Sequence, residues 1–323
     1  MPHVIRIERH GGPEVMEWIE LPMPIPGPGE ALVRQTAVGL NFVDVYQRKG
    51  LYPITLPAVM GSEGAGVVET VGAGVTAVKP GNRVVYQGAS GSYAEARLVP
   101  AERLIRLPDS IDDRTAAASF LKGTTAHFLL KRTFRVAKGQ TILFHAAAGG
   151  VGLIACQWAK ALGATVIGTV GSPEKMEMAR THGCDHVINY RTENFVERVK
   201  EITGGAGVEV VYDSVGNDTF PASLDCLKPL GMWVSFGNSS GVVPPFPIRL
   251  LQQKGSLFAT RPTAGHYLAS RSDLEAAAAS LFAVLADGSV KIEIGQTFAL
   301  KDAARAHQAL EERRTVGATV LLP

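Results

Sequence analysis

Cysteine is scarce in this chain: among 323 residues there are only Cys156, Cys184 and Cys226, far apart and without a C-x-x-C pair. A disulfide framework and a zinc knuckle are therefore both excluded, and a reducing compartment is expected. Charge of one sign is also lacking. Lys and Arg number 32 against 30 Asp and Glu, a net charge of +2, which leaves no electrostatic footprint for nucleic acid or a membrane surface. Long apolar runs are missing as well. The most hydrophobic stretch, residues 141–170, is interrupted by His145, Gly149, Gly150, Gly152, Gln157 and Lys160, whereas a membrane span needs about 20 apolar residues in succession. Residues 1–18 carry charges and Gly11-Gly12-Pro13 in place of the apolar core of a signal peptide. The expected location is the cytoplasm, with no membrane and no nucleic-acid partner.

What is present is ample apolar material, 46% of residues against 19% charged, in a length that favours two domains. Up to about Pro108 the chain reads as short β-like runs (Glu30–Ala37, Gly64–Val71, Arg83–Tyr86, Tyr93–Val99) cut by Gly and Pro, the pattern of an irregular β domain. Between Gln140 and Thr260 apolar strands alternate with amphipathic helices, as in a doubly wound parallel sheet. The strands expected there are Thr141–Ala147, Thr165–Thr169, His186–Asn189, Val208–Asp213, Met232–Phe236 and Leu257–Thr260. Beyond Pro262 an Ala-rich helix, a strand near Lys291–Thr297, a helix over Asp302–Arg314 and a strand at Thr319–Leu322 look unlike further βα units. They are expected to complete the first domain. The division is thus 1–125 with 262–323, and 126–261.

The sharpest local signal is the apolar strand from Thr141 that runs through Ala147-Ala148 into Gly149, Gly150, Val151 and Gly152, and then directly into a helix. Val151, Ile154, Ala155, Trp158, Ala159 and Leu162 fall on one helical stripe, with Gly163 as the stop. Gly149 and Gly150 would let backbone approach a pyrophosphate, Gly152 would let helix and strand pack closely, and the helix N-terminus offers N–H donors and partial positive charge. A purely structural turn would use the same glycines. An NAD site usually carries an acidic residue about 20 residues further on, to grip the ribose 2′-OH. Here that place is Gly171, followed by Ser172, Pro173, Glu174 and Lys175. Without a carboxylate at the strand end, and with a lysine following, the sequence favours a 2′-phosphate and hence NADPH. Ser172 reads as a helix N-cap with Pro173 at the first helical position.

Several motifs then fall in one order along the whole chain: Asn41-Phe42-x-Asp44-x-Tyr46-x-Arg48-x-Gly50-x-Tyr52, Gly61-x-Glu63-Gly64-x-Gly66, the glycine turn with Gln157 and Lys160, and Asp213-Ser214-x-Gly216. Together they resemble the quinone oxidoreductase and zeta-crystallin family of the medium-chain dehydrogenase/reductase superfamily. The resemblance implies a GroES-like irregular β-barrel domain and a Rossmann domain, with the active site in the cleft between them, and a homodimer. By the same resemblance Asn41 and Tyr46 flank the nicotinamide, Gly150 and Val151 the pyrophosphate, and Ser172, Lys175, Tyr190 and Arg313 the adenosine phosphate end. Ser214, Phe236 and Gly237 lie at expected carboxyl ends of strands, where an open sheet holds its ligand, and Thr124, Gly149, Gly152, Gly171 and Arg261 complete the expected cofactor set. Tyr190 and Phe236 also read as core aromatics, Arg313 as a solvated helix end, Ser214 as a helix N-cap, and Lys175 as a side chain in water. His145, inside an apolar strand, reads as a satisfied core histidine, and neither it nor His127 is taken as an acid/base group.

Zinc alcohol dehydrogenases of the superfamily resemble the chain too, but carry Cys where Asn41 stands and His where Ser62 stands. No metal is expected. Without a Lewis acid the alkoxide from an ordinary ketone is poorly stabilised, whereas a quinone or enone spreads the incoming charge over a conjugated system that hydrogen-bond donors can serve. The expected activity is NADPH-dependent reduction of a quinone, with enone or enoyl reduction as the alternative and a non-catalytic RNA-binding or crystallin-like role as the alternative of another class. Asn41 and Tyr46 are the candidates for orienting the acceptor oxygen, with Tyr46 or water returning the proton.

Overall fold

The computed structural model describes residues 1–88 and 90–323. Its chain divides into two compact units, one of Met1–Thr124, Ser270–Phe282 and Ile292–Pro323, the other of Thr125–Ala269 and Ala283–Lys291. Residues 262–269 and 283–291 thus group with the second unit.

In the first unit β1 (His3–Ile7) lies between β2 (Glu17–Glu20) and β4 (Ala58–Val59), antiparallel to both. A seven-stranded sheet follows the order β15 (Ile294–Ala299), β16 (Ala318–Leu322), β3 (Glu30–Leu40), β5 (Glu63–Val71), β6 (Arg83–Gln87), β8 (Ile105–Arg106), with β7 (Ala96–Pro100) also paired to β3. The C-terminal strand β16 runs antiparallel to β3, which pairs Thr319 with Leu40. β3 extends to Leu40, beyond the expected Ala37, because Val38, Gly39 and Leu40 continue the ladder with β5 and β16. Two short helices, α1 (Phe42–Arg48) and α9 (Ala303–Glu311), belong to this unit, as does most of α8 (Arg271–Ala286). α2 (Asp113–Phe128) spans the boundary between the units.

The second unit holds a parallel sheet of six strands: β9 (Thr141–Phe144), β10 (Thr165–Val170), β11 (His186–Asn189), β12 (Val208–Asp213), β13 (Leu227–Ser235) and β14 (Phe258–Thr260). Their order is β11-β10-β9-β12-β13-β14. This is the order of a doubly wound dinucleotide-binding sheet, whose direction reverses between β9 and β12. α3 (Gly150–Ala161), α4 (Pro173–Thr181), α5 (Phe195–Ile202), α6 (Arg249–Gln253) and α7 (Ala264–Tyr267) make up the rest. β9 stops at Phe144, three residues before the expected end, because Ala146 takes a left-handed conformation with φ of 56° and turns the chain towards α3. Leu143, Ile167, Ile188, Val208 and Val211 carry the core of this unit from the sheet itself. No helix among the described residues is long and apolar enough to cross a membrane.

The first unit is tied by polar groups sealed in its interior. Arg48, fully buried on α1, donates from Nη1 to Nδ1 of His307 on α9 at 2.9 Å and pairs with Glu311. Because a guanidinium can only donate, Nδ1 of His307 is the acceptor and its proton sits on Nε2. That nitrogen therefore donates to the Tyr93 hydroxyl at 3.0 Å, and the hydroxyl donates to Asp44 Oδ2 at 3.1 Å. Burial, and then the Arg48 guanidinium, hold the His307 pKa down to about 3. In the unfolded chain the same imidazole titrates near its ordinary 6.5, so the unfolded state takes up the proton first as pH falls, and stability is lost from about pH 6.5 towards 3. Relative to His307→Gln, which does not titrate, the wild type is expected to lose about 2 kcal/mol between pH 7 and pH 5. Denaturant melts of both proteins at the two pH values measure this, and a stability gap that does not change with pH would contradict it.

Candidate functional site

In the second unit the strand-turn-helix unit is built around close backbone approach. A Cβ on Gly152 would lie 2.4 Å from the Ala146 carbonyl oxygen and 2.6 Å from that of Ala147, so only glycine lets the first turn of α3 sit against the end of β9. Gly149 is the N-cap of α3 and brings no side chain to the exposed first-turn amides, those of Gly150 and Val151 included. With the helix dipole behind them, these amides form an anion site in physical terms.

At the end of β10 the structure brings Gly171 and Tyr190 together: a Cβ on Gly171 would stand 2.6 Å from the Tyr190 hydroxyl oxygen. Ser172 is the N-cap of α4 by its extended backbone and Pro173 its first residue, but the Ser172 side chain makes no capping bond. Its hydroxyl bonds the Glu174 carboxylate, the leading cause of that group's lowered pKa. Lys175 lies in the first helical turn, half-buried, and draws on the Glu174 carboxylate electrostatically. Tyr190 is half-buried as well, not sealed in a core.

After β12 no helix begins at Ser214; the chain turns instead, and the buried Asp213 Oδ1 accepts the amides of Val215 at 2.9 Å and Gly216 at 3.0 Å. Asp213 also receives Thr219, Ser223 and Trp233 Nε1. The turn is thereby pinned, and Gly237 packs on it so closely that a Cβ there would meet the Ser214 oxygen at 2.5 Å. Phe236 is half-buried, with its ring 5.6 Å from that of Phe144. Arg261 donates from Nη1 to Ser235 Oγ at 2.8 Å and to the Gly237 oxygen at 2.9 Å. His145 is fully buried between Thr169 and Ser223, its pKa lowered by burial, as a structural histidine should be. His127 has its pKa lowered to about 4 by burial and then by Lys131 and Arg132.

In the first unit Asn41 is the N-cap of α1, and Tyr46 lies on the same helix; both are buried. The Asn41 amide N–H bonds Asp44 Oδ2 at 2.8 Å, while its side-chain Nδ2 donates to Glu63 Oε1, also at 2.8 Å. Glu63 further accepts Lys122 Nζ and the amide of Leu121, each at 2.7 Å. Ser62 Oγ donates to Asp44 Oδ1 at 2.5 Å. Burial pushes the Asp44 pKa up to about 6 against the pull of Ser62, the Asn41 amide and Tyr93. The Tyr46 ring packs edge-on against Tyr52 at 5.1 Å. Thr124, buried near the end of the first unit's N-terminal segment, turns its hydroxyl back to the Phe120 oxygen at 2.8 Å. Arg313 follows the end of α9 in a left-handed conformation, φ 60°, where glycine is the usual residue.

Glu63 and Lys122 went unassigned in the sequence reading, which named only the Gly61-x-Glu63 motif. A glutamate at the start of a strand whose next five residues are uncharged, and a lysine as the one Lys or Arg within 116–130, were the available signals.

Residues 27–109 match the family model described as the alcohol dehydrogenase GroES-like domain, and residues 150–283 the one described as zinc-binding dehydrogenase. The chain is 54% identical to a quinone oxidoreductase of Pseudomonas aeruginosa over 99% of both chains. It is 47% identical to a 2-haloacrylate reductase of a Burkholderia species over 98% of both. Among solved structures, the Escherichia coli quinone oxidoreductase complexed with NADPH superposes with a TM-score of 0.98 at 50% identity, covering 99% of this chain and 100% of that one. The glycine turn, the doubly wound sheet order and these end-to-end identities agree: the chain belongs to the quinone oxidoreductase family of the medium-chain dehydrogenase/reductase superfamily.

Proposed function

We propose that this protein is an NADPH-dependent reductase of quinones and related conjugated carbonyls. The observation that carries the reading is the end of β10. Gly171, lying against the Tyr190 hydroxyl, occupies the place where an NAD site presents a carboxylate, and Ser172 and Lys175 follow in the first turn of α4. When bound, NADPH supplies a hydride from C4 of its nicotinamide ring. On this reading the N-terminal amides of α3, with Gly149, Gly150, Val151 and Gly152, hold the pyrophosphate. Ser172, Lys175, Tyr190 and Arg313 serve the 2′-phosphate end. Thr124, Ser214, Phe236, Gly237 and Arg261 complete the cofactor contacts, and a cytoplasmic homodimer belongs to the same reading.

Zinc, named in the description of one matched domain, does not fit the residues present. Asn41 Nδ2 and Ser62 Oγ, at the two positions singled out in the sequence, each donate to a buried carboxylate. Among the described residues no group of three or more His, Cys, Asp or Glu could hold a metal. On this reading donors meet the charge arriving on the acceptor oxygen, which suits conjugated acceptors. The 2-haloacrylate reductase relative, whose named substrate is a conjugated alkene, supports extending the acceptor class to enones. Asn41, whose amide nitrogen has a second N–H beyond the one given to Glu63, and Tyr46 orient that oxygen. Tyr46 or water returns the proton.

Two outcomes follow. Lys175→Ala is expected to raise the KM for NADPH about tenfold, the worth of one charged contact to a phosphate, and to leave that for NADH nearly unchanged. Steady-state kinetics with both cofactors checks this, and equal weakening of the two would refute the phosphate assignment. Tyr46→Phe should lower kcat by roughly 10-fold to 10³-fold, as for one lost donor, with an unchanged thermal midpoint. Wild-type turnover of this variant with benzoquinone and with an enone would remove the hydroxyl from the mechanism.

A further inference from the structure

Lys122 has no part in the function proposed above, and Glu63 enters it only as the acceptor of Asn41 Nδ2. Glu63 is fully buried and the Lys122 side chain is 6% exposed. Removing two charges from water costs several kcal/mol per ion, and well-packed apolar residues often serve stability as well or better. Stability alone is thus a weak reason for the pair to be there. Its geometry points elsewhere. Gly39, opposite Glu63 in the β3–β5 ladder, leaves the room for the carboxylate: a Cβ there would lie 2.3 Å from Glu63 Oε1 and 2.2 Å from the Ala117 oxygen. Glu63 is therefore held in a slot. Within it, Oε2 takes the amide of Leu121, and Oε1 takes both Lys122 Nζ and Asn41 Nδ2.

A carboxylate offers only acceptors, so of the two ends of the Asn41 amide only the NH2 end can face it. The Asn41 carbonyl oxygen is thereby turned away, and the amide has a single orientation. Lys122 supplies the compensating charge for the fully buried Glu63 carboxylate. Were Lys122 replaced by an apolar side chain, Oε1 would lose the partner it shares with Asn41 Nδ2, and the carboxylate, buried without its counter-ion, would be drawn away from that position.

We propose that Lys122 is a positioning residue: acting through Glu63, it holds the Asn41 carboxamide with its NH2 end on Glu63, so that the second N–H of that nitrogen keeps one direction for the acceptor oxygen. The proposal rests on the reading of Asn41 as a residue beside the nicotinamide.

The test pairs spectroscopy with kinetics. In protein labelled with 15N at asparagine, the Asn41 side-chain NH2 pair, assigned by its loss in Asn41→Asp, reports the bond to Glu63 without cofactor or substrate. Lys122→Met is expected to shift that pair and narrow the separation of its two protons, and Lys122→Arg to preserve it. With NADPH and benzoquinone, kcat of Lys122→Met should fall by about 10-fold to 100-fold, and Lys122→Arg should recover most of it. In an Asn41→Ala background the same Lys122→Met change should cost less than about twofold in kcat, since residues acting through one another do not add. Should Lys122→Met fail to fold, Lys122→Met with Glu63→Gln removes both charges at nearly constant volume and is expected to show the same displaced Asn41 signal. An unmoved Asn41 signal, or equal losses of kcat with and without Asn41, would overturn the proposal. A wild type that does not oxidise NADPH with any quinone or enone would refute the functional reading, and the NMR comparison would still decide the positioning role.

Discussion

Two fully buried carboxylates set the terms for the first unit. Asp44 and Glu63 are both fully buried, and the charge of Glu63 adds to the cost of ionising Asp44. Such groups persist only if donors surround them. Asp44 takes Ser62, the Asn41 amide and Tyr93; Glu63 takes Lys122, Leu121 and the Asn41 side chain. Asn41 bonds both, at the point where β3 ends and α1 begins. The helix start, the strand ladder and the proposed nicotinamide neighbour are thus one electrostatic arrangement. A change in any member would be felt at Asn41.

The second unit meets a different constraint, which is steric. Its glycine turn works because three segments of backbone share a space that a single Cβ would fill. Gly152 clears the carbonyls of Ala146 and Ala147, and Gly168 on β10 clears the Ala147 side chain, to which a Cβ would come within 2.7 Å. Asp213 then pins the neighbouring turn by accepting amide, hydroxyl and indole donors from five residues. One unit thus presents backbone amides held by close packing, and the other presents side chains held by buried charge.

Much of this was legible in the sequence, because local rules wrote it. The run from Thr141 to Gly163 announces a strand, a turn, a helix and its stop, and Ser172-Pro173 announces the start of α4; the structure has each of them. Less legible was whatever depends on residues distant in sequence. β9 looked longer because the apolar run resumes after His145 with Ala146, Ala147 and Ala148, and nothing local shows that Ala146 turns left-handed. Ser214 looked like a cap because a serine after a strand commonly is one, while Asp213, whose carboxylate takes the amides of the turn, reads as the end of the strand. Lys122 was hidden as one more polar residue of a mixed helix, since its partner Glu63 lies on a strand far back in the chain.

The central claim is that donors, and no metal, meet the charge that hydride delivery places on the acceptor, so the acceptor must be conjugated. Its most direct test is one set of NADPH oxidation rates, measured on wild-type protein in the presence of a strong chelator, with benzoquinone, an enone and the matching saturated ketone. The account predicts turnover of the conjugated acceptors that the chelator leaves intact, and ketone reduction slower by roughly 10³-fold or more, the scale of the stabilisation a missing Lewis acid would have provided. Comparable rates with the saturated ketone, or loss of quinone reduction to the chelator and its return with zinc, would contradict it.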